Sequence, residues 1–355
     1  MTRRTAALVV SIVVLLLLVG AASVLPVPYV RLAPGTPYNT LGEVDGVEII
    51  SISGTTTYPT SGNLDLTTVS ESGGPYGTLT MGDVLLGLRN PAVRILPVEQ
   101  VFPEPVDQTV VKEENAQAFD ESQSAAVSAA MSYLHRPLVS QVTASSVTVG
   151  GPSDGIITPG DEIVSVAGVT VNDSAGVGTA VRSKPVGTPL TLVLRSAPTE
   201  GSPAADRTVT VTSAPRPDKP AVPYIGVTVA TEYRASFPIT FGLKDVGGPS
   251  AGMMFALGIV DKLTSGTLNG GRHVAGTGTI DPAGAVGAIG GIAQKVVGAR
   301  DAGAELFLAP VENCADLVGV VPEGLTVTPV TSLSDAVKAT EAWVAGRAVP
   351  VCPTP

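Results

Sequence analysis

The chain has 355 residues and a mass of 35.8 kDa, more than one ordinary domain of roughly 100–200 residues, so a boundary is expected inside it. Lys+Arg 21 against Asp+Glu 31 gives a net charge of −10, which denies a phosphate backbone the positive field it needs and argues against nucleic acid as a partner. Two histidines, His135 and His273, and two cysteines, Cys314 and Cys352, are too few for a zinc finger, a metalloprotease helix or a disulfide-dense scaffold, and no metal site is expected.

The first element is a run without charge from Ala6 to Leu25, preceded by Arg3 and Arg4. Twenty helical residues cover about 30 Å of hydrocarbon, so the segment reads as a single transmembrane anchor over residues 1–25. The basic pair places that end in the cytoplasm and the body of the chain on the extracytoplasmic side of the cell membrane. A cleaved signal peptide is the alternative, with Gly20-Ala21-Ala22 at the cleavage point and Leu8 to Val19 as its apolar stretch. Either reading exports the body. There Cys314 and Cys352 could be bridged, pinning the C-terminal tail, or remain thiols; their spacing does not decide.

Pro26 to Pro37 carries four prolines and reads as an extended spacer within a linker over residues 26–43. Strands are expected at Val44 to Ile52 and at Asn63 to Ser70, where NLDLTTVS has period two. A helix is expected from Asp120, with Asp120 and Gln123 in capping-box spacing, Ala126, Ala130 and Leu134 on one stripe, and an end before Pro137. From Pro137 to Ser213, short strands alternate with Gly, Pro and Ser turns. Within it, Gly155 to Gly168 resembles the PDZ pattern of a glycine-bounded turn, Gly160-Asp161 and a strand ending in a glycine turn. The resemblance implies a module over residues 137–217 that adds an extended peptide to an open sheet edge, although the usual carboxylate-binding loop is not found ahead of its first strand. The proline-dense Ala214 to Pro223 marks its exit.

The text that carries chemistry is Gly247-Gly248-Pro249-Ser250-Ala251-Gly252 followed by the apolar MMFALGIVDKL. Glycines permit a sharp turn, and Ser250 then stands at a helix start whose free N–H groups and positive dipole end favour a developing oxyanion, with Gly247, Gly248 and Ser250 forming that loop. A phosphate loop would need Lys-Ser/Thr after its glycines, and none follows. A plain Gly-Pro turn with Ser250 as helix cap is the bland reading, and Gly150-Gly151-Pro152-Ser153 repeats the tetrapeptide with no helix after it. A serine needs a base. His273 precedes a strand and His135 ends a helix, and both read as surface or edge residues. Lysine serves when burial disfavours its charged form, and Lys295, among Ile292, Ala293, Val296 and Val297, is the candidate.

At these residues the chain resembles the proteolytic domain of Lon-type Ser-Lys proteases over Phe237 to Ala339. GPSAG around Ser250 is similar to the nucleophile motif, TGTI from Thr277 to the Thr-Gly-Glu strand, and IGGIAQK ending at Lys295 to the lysine motif, followed by a helix, a strand and a Pro-x-x-Asn turn. The resemblance implies Ser250 as nucleophile, Lys295 as general base and Thr277 as the hydroxyl that orients the lysine. Two departures stand out: Gly247 replaces an acidic residue three positions before the serine, with Asp245 close but out of place, and Thr279 replaces the glutamate. No Walker pattern occurs, so no cofactor and no ATP are expected.

NLDLTTVS and SQSAAVSAAMSYL resemble the first strand and helix of the same domain. The expected fold is therefore α+β, a Lon-type proteolytic domain of ribosomal-protein-like α/β fold in two pieces, residues 44–136 and 218–347. A PDZ-like β-rich domain interrupts it, one transmembrane helix precedes it and a tail over residues 348–355 follows, similar to the PDZ-containing, membrane-anchored Lon-like proteases of bacteria. The expected function is an ATP-independent serine endopeptidase that cleaves extended or unfolded extracytoplasmic segments presented by the PDZ-like groove. The resemblance also implies a homo-oligomeric ring. A catalytically inactive, membrane-tethered peptide-binding scaffold is the alternative, motivated by the missing acid at Gly247.

Overall fold

The computed structural model describes residues 3–103, 107–196, 205–244 and 246–353. The chain forms two compact units, Met1–His135 with Phe237–Pro355, and Arg136–Ser236.

The first unit is built on a five-stranded sheet in the order Thr326–Val330, Leu306–Pro310, His273–Gly276, Asn63–Leu66, Tyr38–Asn39. The first four strands run parallel and Tyr38–Asn39 is an antiparallel edge. Every residue of Leu306–Pro310 is buried, the continuous apolar run of a parallel strand covered on both faces. Successive side chains point to opposite faces. Ala275, Phe307, Ala309 and Val327 join Ile292, Val296 and Ala299 of the helix Ile292–Asp301 in one core. Gly276 and Leu308 face Met254 of the wholly buried helix Gly252–Leu263. That helix packs against Gln108–Tyr133 and Leu333–Val344, with Phe255 edge-on to Phe119 and Phe241.

Several expectations change here. The single strand Asn63 to Ser70 is two: Asn63–Leu66 lies in the parallel sheet, and Val69–Gly73 in a three-stranded sheet with Tyr29–Pro34 and Arg94–Pro97. Thr67 donates its hydroxyl to Gly276 O at 3.1 Å and Thr68 to Thr36 O at 2.9 Å, so the chain changes partners between them. The proline-rich spacer is therefore no free linker, since Tyr29–Pro34 is the middle strand of that sheet and Val30 is fully buried. Val44 to Ile52 also divides: Asp45 (φ 52) and Gly46 (φ 78) turn a hairpin of Glu43–Val44 with Val47–Glu48, and Ile50–Ile52 follows. Aspartate-glycine is the pair a two-residue turn with positive φ demands. The helix begins at Gln108 rather than Asp120, capped by Asp107, whose carboxylate accepts from Thr109 N at 2.8 Å.

Helix Arg3–Ser23 occupies the segment expected to span the membrane. Counted over the described residues, no helix of the chain is long and apolar enough to cross a membrane, and the spanning expectation is without support there. Cys314 and Cys352 form a disulfide, which ties the tail to the turn after Leu306–Pro310.

The second unit is an antiparallel sheet in the order Asp206–Thr212, Pro189–Arg195, Glu162–Val166, Leu138–Val147, Val227–Ala235, with Val169–Thr170 paired to Glu162–Val166. Its core gathers Val142, Ile163, Val166, Leu190, Leu192 and Leu194 around the helix Ser174–Arg182. The unit runs to Ser236, past the expected end at 217, because Val227–Ala235 pairs along the whole of Leu138–Val147. The proline-dense stretch is an internal hairpin, Ala214–Arg216 with Lys219–Tyr224. Ser153 of the repeated tetrapeptide is fully buried and donates to Ile225 O at 2.6 Å, the part of a structural turn.

Candidate active site

Ser250 sits in the short 3-10 turn Pro249–Ala251, which runs directly into the helix Gly252–Leu263. The turn begins at Gly248, with φ 84 and ψ 164, a conformation a side chain strongly disfavours. Pro249 then supplies the pre-set φ of a first helical position. Gly252 is required for another reason. A Cβ there would lie 2.8 Å from both Ile280 Cγ2 and Ser122 Oγ, so only a bare backbone lets the helix approach this closely.

Three hydrogen bonds from distant segments fix the loop. Gly248 N–H donates to Asn115 O at 2.8 Å, Ser122 Oγ–H to Pro249 O at 3.1 Å, and Gly278 N–H to Ser250 O at 2.9 Å. Asn115 in turn donates its side-chain amide to the Tyr76 hydroxyl at 3.1 Å.

Lys295 lies in the first turn of the helix Ile292–Asp301 and is 3% exposed. Its Nζ is 2.7 Å from Ser250 Oγ and 2.9 Å from Thr277 Oγ1. Thr277 is fully buried and donates its hydroxyl proton to Ser250 O at 3.0 Å. Its oxygen therefore faces the lysine with lone pairs. A neutral amine has two N–H donors and one lone pair; with one N–H directed at Thr277, the lone pair is free for the Ser250 hydroxyl. Burial pushes the Lys295 amine down from its usual 10.5 to about 7 by penalising the charged form. The arrangement can thus draw a proton from a serine hydroxyl near neutral pH. The loop before the lysine helix is closed by Asn313, which accepts from Ile289 N at 2.9 Å and donates to Ile289 O at 3.0 Å.

The remaining sequence candidates fall as follows. Gly247 and Gly248 shape the loop, but Gly248 N–H is already bonded to Asn115 O, so in this conformation it is no oxyanion donor. The unpaired donors of a helical start belong to its first residues; Pro249 has none, and Ala251 N–H is taken up by the 3-10 turn, which leaves Ser250 N–H. A Cβ on Gly247 would lie 2.8 Å from Asn115 Cβ, so Asn115 fills the space a carboxylate side chain would need. Asp245 lies outside the described residues. Thr279 sits in a two-stranded ladder opposite Gly287. His273 is not an edge residue: it is half-buried on a central strand, its Nε2 2.7 Å from the carboxylate of buried Asp65. His135 is exposed, with φ 52, where the long helix ends. Among the described residues no group of three or more His, Cys, Asp and Glu could hold a metal ion.

Sequence reasoning missed Tyr76, Asn115 and Ser122. Ser122 lies 127 residues from the Pro249 carbonyl it binds, Tyr76 and Asn115 lie further off along the chain, and nothing local points to the loop they hold.

Residues 240–341 match the family model of the Lon protease (S16) C-terminal proteolytic domain. Among curated proteins the chain is 35% identical over 100 residues to Lon protease of Buchnera aphidicola subsp. Schizaphis graminum (strain Sg), covering 27% of this chain and 13% of that protein. It is 36% identical over 110 residues to Lon protease 1 of Bacillus subtilis (strain 168), covering 30% and 14%. The matched stretch is thus about one-seventh of those relatives' length. The match supports a serine peptidase. Among solved structures, the PDZ domain of the SdrC-like protein Lin2157 from Listeria innocua is similar at 21% identity and a TM-score of 0.21, over 25% of this chain and 92% of that one.

Proposed function

We propose that this chain is a serine endopeptidase that cleaves extended or unfolded protein segments without ATP, with Ser250 as nucleophile and Lys295 as general base. The observation that supports it most is the 2.7 Å approach of a buried lysine amine to a serine hydroxyl at a helix start. Neutral Lys295 accepts the hydroxyl proton as Ser250 Oγ bonds to the substrate carbonyl carbon. The oxyanion so formed is met by the free Ser250 N–H of the helical start. The protonated lysine returns its proton to the departing amine as the peptide C–N bond breaks, and water then hydrolyses the acyl-enzyme by the same route. Thr277 holds the amine in line throughout.

In this reading the unit Arg136–Ser236 binds peptide by strand addition and the body works outside the cytoplasm, near a membrane. The Cys314–Cys352 disulfide favours an oxidising compartment. The exposed apolar side chains of Arg3–Ser23, Val9 to Leu17 among them, favour an apolar surface as their surroundings. The test incubates the full chain with a library of unstructured peptides and a serine-reactive fluorophosphonate. Wild type should cleave and be labelled, Ser250→Ala should do neither, and Lys295→Ala should be labelled far more slowly. Peptide binding without cleavage or labelling in the wild type would leave the inactive-scaffold reading in its place.

A further inference from the structure

The short helix Met81–Gly87 leaves both of its leucines uncovered. Val84 and Gly87, three residues apart, are buried, and Gly87 lies against Ile95 of the neighbouring strand Arg94–Pro97. Leu85 and Leu86 on the remaining sides, and Leu88, the cap residue after the helix, are 56%, 65% and 67% exposed. Three adjacent leucines this exposed form a patch rather than the scattered singles normal on a surface.

The patch is joined to the end of the N-terminal helix. Met81 N–H donates to Leu25 O at 2.9 Å, Pro26–Val27 pairs with Leu79–Thr80, and the start of the short helix at Gly82 abuts Ser23 O. The exposed leucines therefore stand on an element tied directly to a segment whose Val19, Val24 and Leu25 are also exposed. Arg89 stands exposed next to Leu88 in the chain. Asp83, on the same helix, serves as its cap, accepting from Thr80 N at 2.9 Å and from Thr80 Oγ1 at 2.7 Å. An apolar face ending in an exposed arginine, on an element tied to an apolar helix, suits the headgroup layer of a lipid surface.

We infer that Leu85, Leu86 and Leu88 dock on the bilayer surface, with Arg89 at anionic headgroups, and hold the Ser250 unit against the membrane rather than free on a tether. The inference rests on the proposed placement of Arg3–Ser23 in lipid. It does not rest on peptidase activity.

The chain has two cysteines, both in the disulfide, so one introduced cysteine is the sole thiol available for labelling. Full chain bearing Leu86→Cys or, as control, Val149→Cys in the other unit is labelled with an environment-sensitive fluorophore and reconstituted with phosphatidylcholine vesicles, with and without phosphatidylglycerol. Flotation reports attachment of the N-terminal helix, and quenching by headgroup-nitroxide lipid reports the patch. The expected result is flotation of both, a blue shift and loss of emission at position 86 but not at 149, a stronger effect with the anionic lipid, and its loss when Leu85→Ser and Leu88→Ser are added. Flotation with position 86 as unquenched as 149 would overturn the docking while leaving the tether. Failure to float overturns both. A blue shift that grows with protein density and ignores the nitroxide assigns the patch to a second copy of the chain instead. Peptide cleavage, followed in parallel, reports on the Ser250 reading separately.

Discussion

If the lysine at the candidate site is the base, the acid limb of the activity profile is set by its burial. With its amine at about 7, Lys295 is neutral in about one molecule in a hundred at pH 5, about half at pH 7 and about nine in ten at pH 8. A solvated lysine at 10.5 would be neutral in only about one molecule in three thousand at pH 7. The second-order rate of fluorophosphonate labelling of Ser250 should therefore rise about tenfold per pH unit below pH 6, bend near 7 and level above 8. The same shift enters stability. Between about 7 and 10.5 the unfolded chain binds a proton that the folded chain does not, so stability rises with pH across that window, by a ceiling of about 5 kcal/mol. Below pH 7 both states bind it and the burial penalty is fully present. Against a Ser250→Ala background, Lys295→Met should accordingly raise stability at pH 7, by an advantage that shrinks toward pH 10.5 and is read by urea unfolding at several pH values. A labelling rate that climbs tenfold per unit through pH 10, or a Lys295→Met effect independent of pH, would refute the reasoning.

Thr277→Val removes the acceptor that orients Lys295 and the donor to Ser250 O, each bond being worth about 1 kcal/mol, so kcat should fall about ten- to a hundredfold with KM little changed, and Thr277→Ser should recover most of it in a peptide-cleavage assay. Gly252→Ala places a methyl 2.8 Å from Ile280 and Ser122, an overpacking that should destabilise the unit by about 1–3 kcal/mol, measured as a lowered Tm by calorimetry. Cys352→Ser opens a cross-link between positions 38 residues apart and should lower stability by about 2–4 kcal/mol in urea unfolding, an effect that wild type reproduces under reductant and the variant no longer shows.

Much of the site is legible along the chain because its chemistry is local in kind. Gly-Gly-Pro-Ser before an apolar run demands a tight turn into a helix, and a lysine between Ile292 and Val296 on such a helix is turned inward by its own neighbours. That the two groups meet at 2.7 Å is a property of the parallel sheet, whose strand His273–Gly276 brings Thr277 between them. The same sheet decides what period two could not. Asn63 to Ser70 has one continuous pattern, yet the hydroxyls of Thr67 and Thr68 find acceptors in different neighbours and the strand breaks there.

Local propensity also placed turns and caps, but not which cap is used: Asp107 rather than Asp120 opens the long helix, and so brings Asn115 under the serine loop. There Asn115 occupies the space that a carboxylate at position 247 would require. Residue types, turns and apolar faces can be read along the chain, since these follow from each side chain's own sterics and solvation. Which distant polar groups satisfy one another is settled by packing, because a hydroxyl or carbonyl carries no label for its partner until burial removes the water that would otherwise serve.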